Sequence, residues 1–184
     1  MQSLLPDTRF KYLLVIAIVA FATIAGAWIF QAYGIVPCEL CLKQRFAYYA
    51  GVPLAALLAA LQARRDGSIV TAGLAALALI FVANAVLGIY HSGVEAMLWA
   101  GPEACTGAVR GSPNVADLLK EIQTIKVARC DEVQLRVLGL TLANWNVLIS
   151  AALAGLAALA IRRPGSDRRL AERQAVDVHG AVSR

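Results

Sequence analysis

Hydrophobic and polar positions along this chain fall into blocks. Four stretches, 12–30, 46–62, 69–90 and 137–161, contain no Asp, Glu, Lys or Arg, and the segments between and beyond them hold every charged residue. A helix resting on a soluble core carries a polar stripe with a period of 3.6 residues, and none of the four stretches has one. A bilayer core of about 30 Å takes about 20 helical residues, so each stretch is long enough to cross it, the second being the shortest. The pattern predicts an all-α integral membrane protein: a four-transmembrane-helix bundle with two loops on one side and a shorter one on the other. Ala25-Gly26-Ala27, coming after Arg9 and Lys11, resembles a signal-peptide cleavage site, but Trp28, Ile29 and Phe30 carry the apolar run past it, which favours a retained span.

Composition agrees, with 59% hydrophobic and 16% charged residues in 184 and a mean hydropathy of +0.65. The net charge of +5 could suggest nucleic acid, but its distribution argues for orientation instead. Segments 1–11, 63–68 and 162–184 together hold 10 Lys/Arg and 5 Asp/Glu, whereas 31–45 and 91–136 hold 7 of each. By the positive-inside rule both termini are cytoplasmic and the two longer loops face the opposite side, so no nucleic-acid partner is expected. Arg162, Arg163, Arg168, Arg169 and Arg173 read as a stop-transfer and lipid-headgroup signal. Residues 1–162 are thus expected to form one four-helix membrane domain, with a basic, disordered cytoplasmic tail over 163–184. Gly26, Gly51, Gly73, Gly88, Gly139 and Gly155 are expected on the packing faces, and Pro53 to kink the second span.

All four cysteines lie in the two longer loops, on the side where disulfides form. Cys38 and Cys41 make a C-x-x-C in Pro37-Cys38-Glu39-Leu40-Cys41, and Cys105 and Cys130 lie in the second loop. Structural bridges, a zinc site and thiol–disulfide exchange all remain open from spacing. A C-x-x-C bridge closes too little chain to stabilise much, and only one cysteine pair is close-spaced as metal sites prefer. Exchange suits it better, because the second thiol can resolve a mixed disulfide formed at the first. Arg45, one helical turn after Cys41, could share its face, favour a thiolate and donate hydrogen bonds to a carbonyl oxygen of a bound acceptor. Thiols giving up an electron pair beside a membrane need an acceptor there, and a lipid-soluble quinone has the right depth and stoichiometry.

Three blocks together resemble the DsbB family, the quinone-linked oxidases of the bacterial inner membrane that recycle the periplasmic dithiol oxidant DsbA. The first is Pro37-Cys38-Glu39-Leu40-Cys41 with Gln44-Arg45. The second runs from Gly88-Ile89-Tyr90-His91-Ser92-Gly93-Val94-Glu95 through Trp99, Gly101 and Pro102 to Cys105. The third is Cys130-Asp131-Glu132-Val133, then Leu138-Gly139-Leu140 and Asn144-Trp145-Asn146. The four-helix oxidases resembling vitamin K epoxide reductase place their C-x-x-C after the loop cysteines, the reverse of the order here.

The resemblance implies redox disulfides Cys38–Cys41 and Cys105–Cys130, a periplasmic DsbA-like thioredoxin-fold partner, and ubiquinone or menaquinone as acceptor. It implies that Cys105 forms the mixed disulfide with the partner, that Cys130 then attacks Cys38, and that Cys41 and Arg45 face the quinone. His91, at the outer end of the third span, could bond the other quinone carbonyl. Residues 114–122, mixing apolar and charged positions after Pro113, are expected to form a short amphipathic helix on the membrane surface. The competing class is a membrane scaffold or transporter subunit with purely structural disulfides.

Overall fold

The structure, a computed structural model, describes residues 8–62, 67–102 and 129–162. Among them are four helices: α1 (Thr8–Ala32), α2 (Glu39–Gln62), α3 (Gly67–Glu95) and α4 (Leu142–Arg162). Three are long and apolar enough to cross a membrane: Thr8–Ala32, Ser68–Glu95 and Leu142–Arg162. α2 is 24 residues long, but Glu39, Lys43 and Arg45 in its first turns and Pro53 within it make it the least apolar. Cys105, segment 114–122 and the tail 163–184 lie outside the described residues.

The helices close into a ring in which α1 packs on α2, α2 on α3, α3 on α4 and α4 on α1. Each turns one narrow stripe inward at three- and four-residue steps. The buried positions are Leu13, Ile16, Ala20 and Ile24 on α1, and Val70, Leu74, Leu77 and Phe81 on α3. Ala55 and Leu58 of α2 and Leu153, Ala157 and Ala160 of α4 complete the core. The opposite faces are equally apolar and exposed, with Ile18, Phe21, Leu79, Val82, Val86 and Leu148 among them. Such a belt is foreign to a soluble monomer and fits lipid contact.

The expected packing glycines divide into three kinds. A Cβ on Gly51 would meet the Phe81 ring at 2.6 Å, one on Gly73 would run into Leu58, and one on Gly88 would meet Val147 at 2.8 Å, so these three do let helices approach. Gly26 and Gly155 have nothing within 4 Å. Gly139 has φ +83° and belongs to a turn. There the all-α expectation is corrected. Residues 136–141 form a two-stranded antiparallel ribbon pairing Arg136 with Thr141 and Val137 with Leu140. Leu138 (φ 52°) and Gly139 both adopt the left-handed conformation that a two-residue hairpin turn requires. α4 consequently begins at Leu142, capped by Thr141, whose Oγ1 accepts the Asn144 N–H at 3.2 Å.

Tyr48, Asn84, Asn146 and Ser150 form a buried polar cluster joining α2, α3 and α4. The Tyr48 hydroxyl donates to Asn146 Oδ1 at 2.7 Å, and Asn84 Nδ2 donates to Asn146 Oδ1 at 3.1 Å and to Ser150 Oγ at 2.9 Å. At the other end of the bundle, Arg9 reaches from α1 to Thr71 Oγ1 and to the Ile161 carbonyl, both at 3.3 Å.

Candidate functional site

α2 begins seven residues before its charge-free run, and that extension carries the C-x-x-C. Cys38 immediately precedes Glu39, the first helical residue, and its carbonyl accepts the Leu42 N–H at 3.0 Å, the first turn of the helix. Its Sγ accepts the Cys41 N–H at 3.4 Å, as an N-cap side chain does. The sulfur therefore lies at the positive end of the helix dipole, where a thiolate is favoured. Cys41 returns on the first turn with its Sγ 3.0 Å from that of Cys38, and both are free cysteines.

α3 likewise runs past its expected end at 90 to Glu95, bringing His91 and Glu95 to the thiols. His91 is 2% exposed. Its Nε2 lies 3.5 Å from Cys38 Sγ and its Nδ1 lies 3.0 Å from Gln44 Nε2. An amide nitrogen can only donate, so Nδ1 accepts and the proton of the neutral ring sits on Nε2, facing Cys38. Glu95 Oε1 is 3.9 Å from the same Nε2, and Glu95 Oε2 is buried without a hydrogen-bond partner among the described residues.

These contacts divide the proton affinity of the pair unequally. Cys38 is lowered from the usual thiol value of 9.0 to about 4, chiefly by the Cys41 thiol donating to it, with burial opposing and His91 and the Cys41 N–H adding to the lowering. Cys41 is pushed well above the thiol range because its proton is held by Cys38, because it is buried and because Glu95 opposes a second negative charge nearby. A reduced pair therefore keeps its charge on Cys38 and its proton on Cys41.

Both thiols open onto a cavity of about 310 Å³ at this end of the bundle, between α1, α2, α4 and the segment leading to the ribbon. Phe30, Ile35, Leu142, Trp145 and Ile149 make its walls largely apolar, and Arg45 and His91 bring N–H donors to it. Arg45 is directed toward α1, where it donates to Gln31 Oε1 at 2.7 Å and to the Ala27 carbonyl at 3.3 Å. The expectation that Arg45 favours a thiolate on Cys41 is thus corrected: Cys41 is the thiol that is raised, and the lowering of Cys38 comes from Cys41 and His91.

Cys130 is 1% exposed and sits in one buried cluster with Cys38, Leu40 and Val94, with Cys41 packed against it. It is disulfide-bonded. The end of α3 explains the second sequence block. Leu98 N–H bonds the Gly93 carbonyl at 2.9 Å and Met97 N–H the Val94 carbonyl at 3.1 Å, the two bonds of a Schellman stop, with Met97 at φ 58°. The reversal lays Trp99 on Tyr90, with rings 7° from parallel, and Trp99 Nε1 donates to the Tyr90 carbonyl at 2.8 Å. Trp99 so nearly touches Gly93 that no Cβ fits there.

The Cys38, Cys41 and His91 donor atoms lie within 4.8 Å of one another. Tetrahedral zinc with Zn–S near 2.3 Å would hold two sulfurs roughly 3.8 Å apart, wider than the pair here, and a ligating histidine donates through its second nitrogen, which here accepts from Gln44. The arrangement suits a dithiol better than a metal centre. The structure places Cys38, Cys41, Arg45, His91 and Cys130 at one end of the bundle. Sequence reasoning gave no role to Gln44 or Glu95, although both stand inside the quoted blocks, because only the fold turns them onto His91.

Three comparisons with known proteins bear on this site. Residues 9–160 match the family described as "Disulfide bond formation protein DsbB". A relative from Aromatoleum aromaticum, "Disulfide bond formation protein B", is 31% identical over 168 residues, covering 89% of this chain and 98% of the relative. Another from Pseudomonas putida, "Disulfide bond formation protein B 1", is 28% identical over 158 residues, covering 83% and 90%. No solved structure matches the chain. A match over nearly all the described bundle, including the thiol pair, His91 and the ribbon, makes this chain a member of the DsbB family.

Proposed function

We propose that the chain is a quinone-dependent thiol:disulfide oxidoreductase of the bacterial inner membrane, which reoxidises a periplasmic DsbA-like thioredoxin-fold protein and passes the electrons to ubiquinone or menaquinone. One observation carries the reading: two free thiols with sulfurs 3.0 Å apart open onto an apolar cavity at one end of a lipid-compatible helical bundle. The relatives' names, both for disulfide bond formation, support the product side. α2 acts as the fourth span, both termini are cytoplasmic, and residues 1–162 are the redox domain.

The cavity fits a quinone head group. Its volume lies at the lower end of the roughly 300–1,000 Å³ common for ligand sites, its walls are apolar, and Arg45 brings guanidinium N–H donors for a carbonyl acceptor of such a ring. Arg45 would hold one carbonyl of a quinone there, and His91 would reach the other by turning its Nε2 proton from Cys38; the quinone would supply a two-electron, two-proton acceptor.

The residues then act in sequence. The thiolate of the partner protein attacks Cys105 of a Cys105–Cys130 bridge, forming a mixed disulfide and releasing Cys130 as a thiolate. Cys130, already packed against Cys38, attacks that sulfur, breaks the Cys38–Cys41 bond and leaves the electron pair on Cys41, facing the cavity. The partner's second thiol then resolves its mixed disulfide and releases Cys105, which attacks Cys130, re-forms Cys105–Cys130 and leaves Cys38 and Cys41 as the reduced pair, one thiolate and one thiol. His91 holds its Nε2 proton toward Cys38, and Arg45 fixes the end of α1 that forms the cavity wall.

The test uses the full chain in detergent with a soluble ubiquinone analogue and a reduced thioredoxin-fold dithiol protein. The wild type is expected to turn over, and Cys41→Ser to abolish quinone reduction; unchanged turnover in that variant refutes the reading. Thiol trapping in quinone-starved cells is expected to show reduced forms accumulating, whereas four permanently oxidised cysteines would favour a scaffold.

A further inference from the structure

We propose that Glu95 is the proton acceptor of this site: it takes the proton of Cys41 when the electron pair leaves the thiols, and returns it to the reduced acceptor in the cavity. This rests on the quinone reading above and deepens it. When the Cys38–Cys41 disulfide re-forms from the reduced pair, one S–S bond is made, two electrons pass to the quinone and its two oxygens gain two protons, one from Cys41 and the other from water, replacing the one Cys38 gave up earlier. Cys38 has already released its proton, so the one that must still leave a sulfur is on Cys41.

Among the described residues the wall of the cavity holds one largely buried carboxyl group, that of Glu95, whose side chain is 10% exposed. Its Oε1 faces His91 Nε2 at 3.9 Å, and its Oε2 is buried with no hydrogen bond among the described residues. Buried carboxyl oxygens retained for structure are paired, and one left open on a cavity wall that also holds two thiols is a group available to bind a proton. Among the described residues no Lys or Arg claims it. Arg45 of α2 is engaged by Gln31 and Ala27, and Arg129 binds Asp131 at 2.6 and 3.0 Å. The other titratable groups on the cavity wall are Cys38, Cys41 and Tyr48 from the α2 side, His91 from α3, and Glu132, which is 67% exposed beside Arg129. α1 and α4 contribute none. His91, between Cys38 and Glu95, is the positioning residue, since it contacts both.

The experiment compares wild type, E95Q and E95D as full chains in detergent with two readouts. In single-turnover reduction of a soluble ubiquinone analogue by the dithiol form, E95Q is expected to be slower on the order of 10²-fold near neutral pH. The deficit should shrink as pH rises and hydroxide replaces the missing acceptor, and E95D should keep most of the rate. In the quinone-free reduced chain, the pH profile of Cys41 alkylation, read by mass spectrometry, should move to lower pH in E95Q because a neighbouring negative charge is gone. A variant that forms its thiolate more readily yet reduces quinone more slowly supports proton acceptance, and generic damage does not produce that combination. Wild-type behaviour of E95Q in both readouts, or a loss that is the same at every pH and shared by E95D, overturns the proposal. A wild type that leaves the quinone oxidised overturns the quinone reading instead.

Discussion

Replacing Asn84 with Leu removes the donor that ties α3 to α4 through Asn146 Oδ1 at 3.1 Å and Ser150 Oγ at 2.9 Å. Interhelical side-chain bonds in membrane bundles are worth about 0.6 kcal/mol on average and about 1.7 at most. Two such bonds predict a loss of about 1.2 kcal/mol, or roughly eightfold in the unfolding equilibrium. Leu is close to Asn in size, so the packing term is small. The stronger forecast concerns the double variant. Tyr48 also donates to Asn146 Oδ1, at 2.7 Å, so either single change leaves that oxygen a strong donor. Tyr48→Phe with Asn84→Leu leaves it only Ser150 at 3.5 Å, and a buried acceptor so poorly satisfied costs about 1–3 kcal/mol more than the sum of the singles. Reversible unfolding by sodium dodecyl sulfate in mixed micelles, followed by far-ultraviolet circular dichroism, measures all three. Wild-type stability of Asn84→Leu, or a double variant additive to within about 0.5 kcal/mol, would refute the reasoning.

The same unfolding assay separates the glycines: Gly51→Ala should cost about 1–3 kcal/mol by forcing the Phe81 ring aside, while Gly155→Ala, with open space, should be neutral or stabilising by up to about 1 kcal/mol. Met97→Gly should stabilise by about 0.5–1 kcal/mol, because Met97 now holds a left-handed φ of 58° at the end of α3. The lowered Cys38 value means that the folded dithiol carries its thiolate above about pH 4 and loses it as pH falls through that value. His91→Phe removes one of the groups favouring that charge, so the transition should move upward, read as thiolate absorbance in the ultraviolet against a Cys38→Ser control; an unmoved transition would detach His91 from the thiols.

The four charge-free stretches and the C-x-x-C are covalent and compositional facts, so the helices, their lipid-facing character and the dithiol follow from the order of residues alone. The local stops are also written there in part, since Gly139 and Thr141 set the turn and cap before α4. Rotation of each helix about its own axis is not written there. When almost every position is apolar, no polar stripe marks the side that turns inward, and packing chooses it. That choice turns Phe81 onto Gly51 and leaves Gly155 open. It sends Arg45 to the end of α1, and it carries His91 across 53 residues of sequence to Cys38. Glu95 reads in the sequence as one more loop charge. Only the extension of α3 by one further turn, against Cys38 and Cys41, makes it a largely buried carboxyl with an oxygen left to bind a proton.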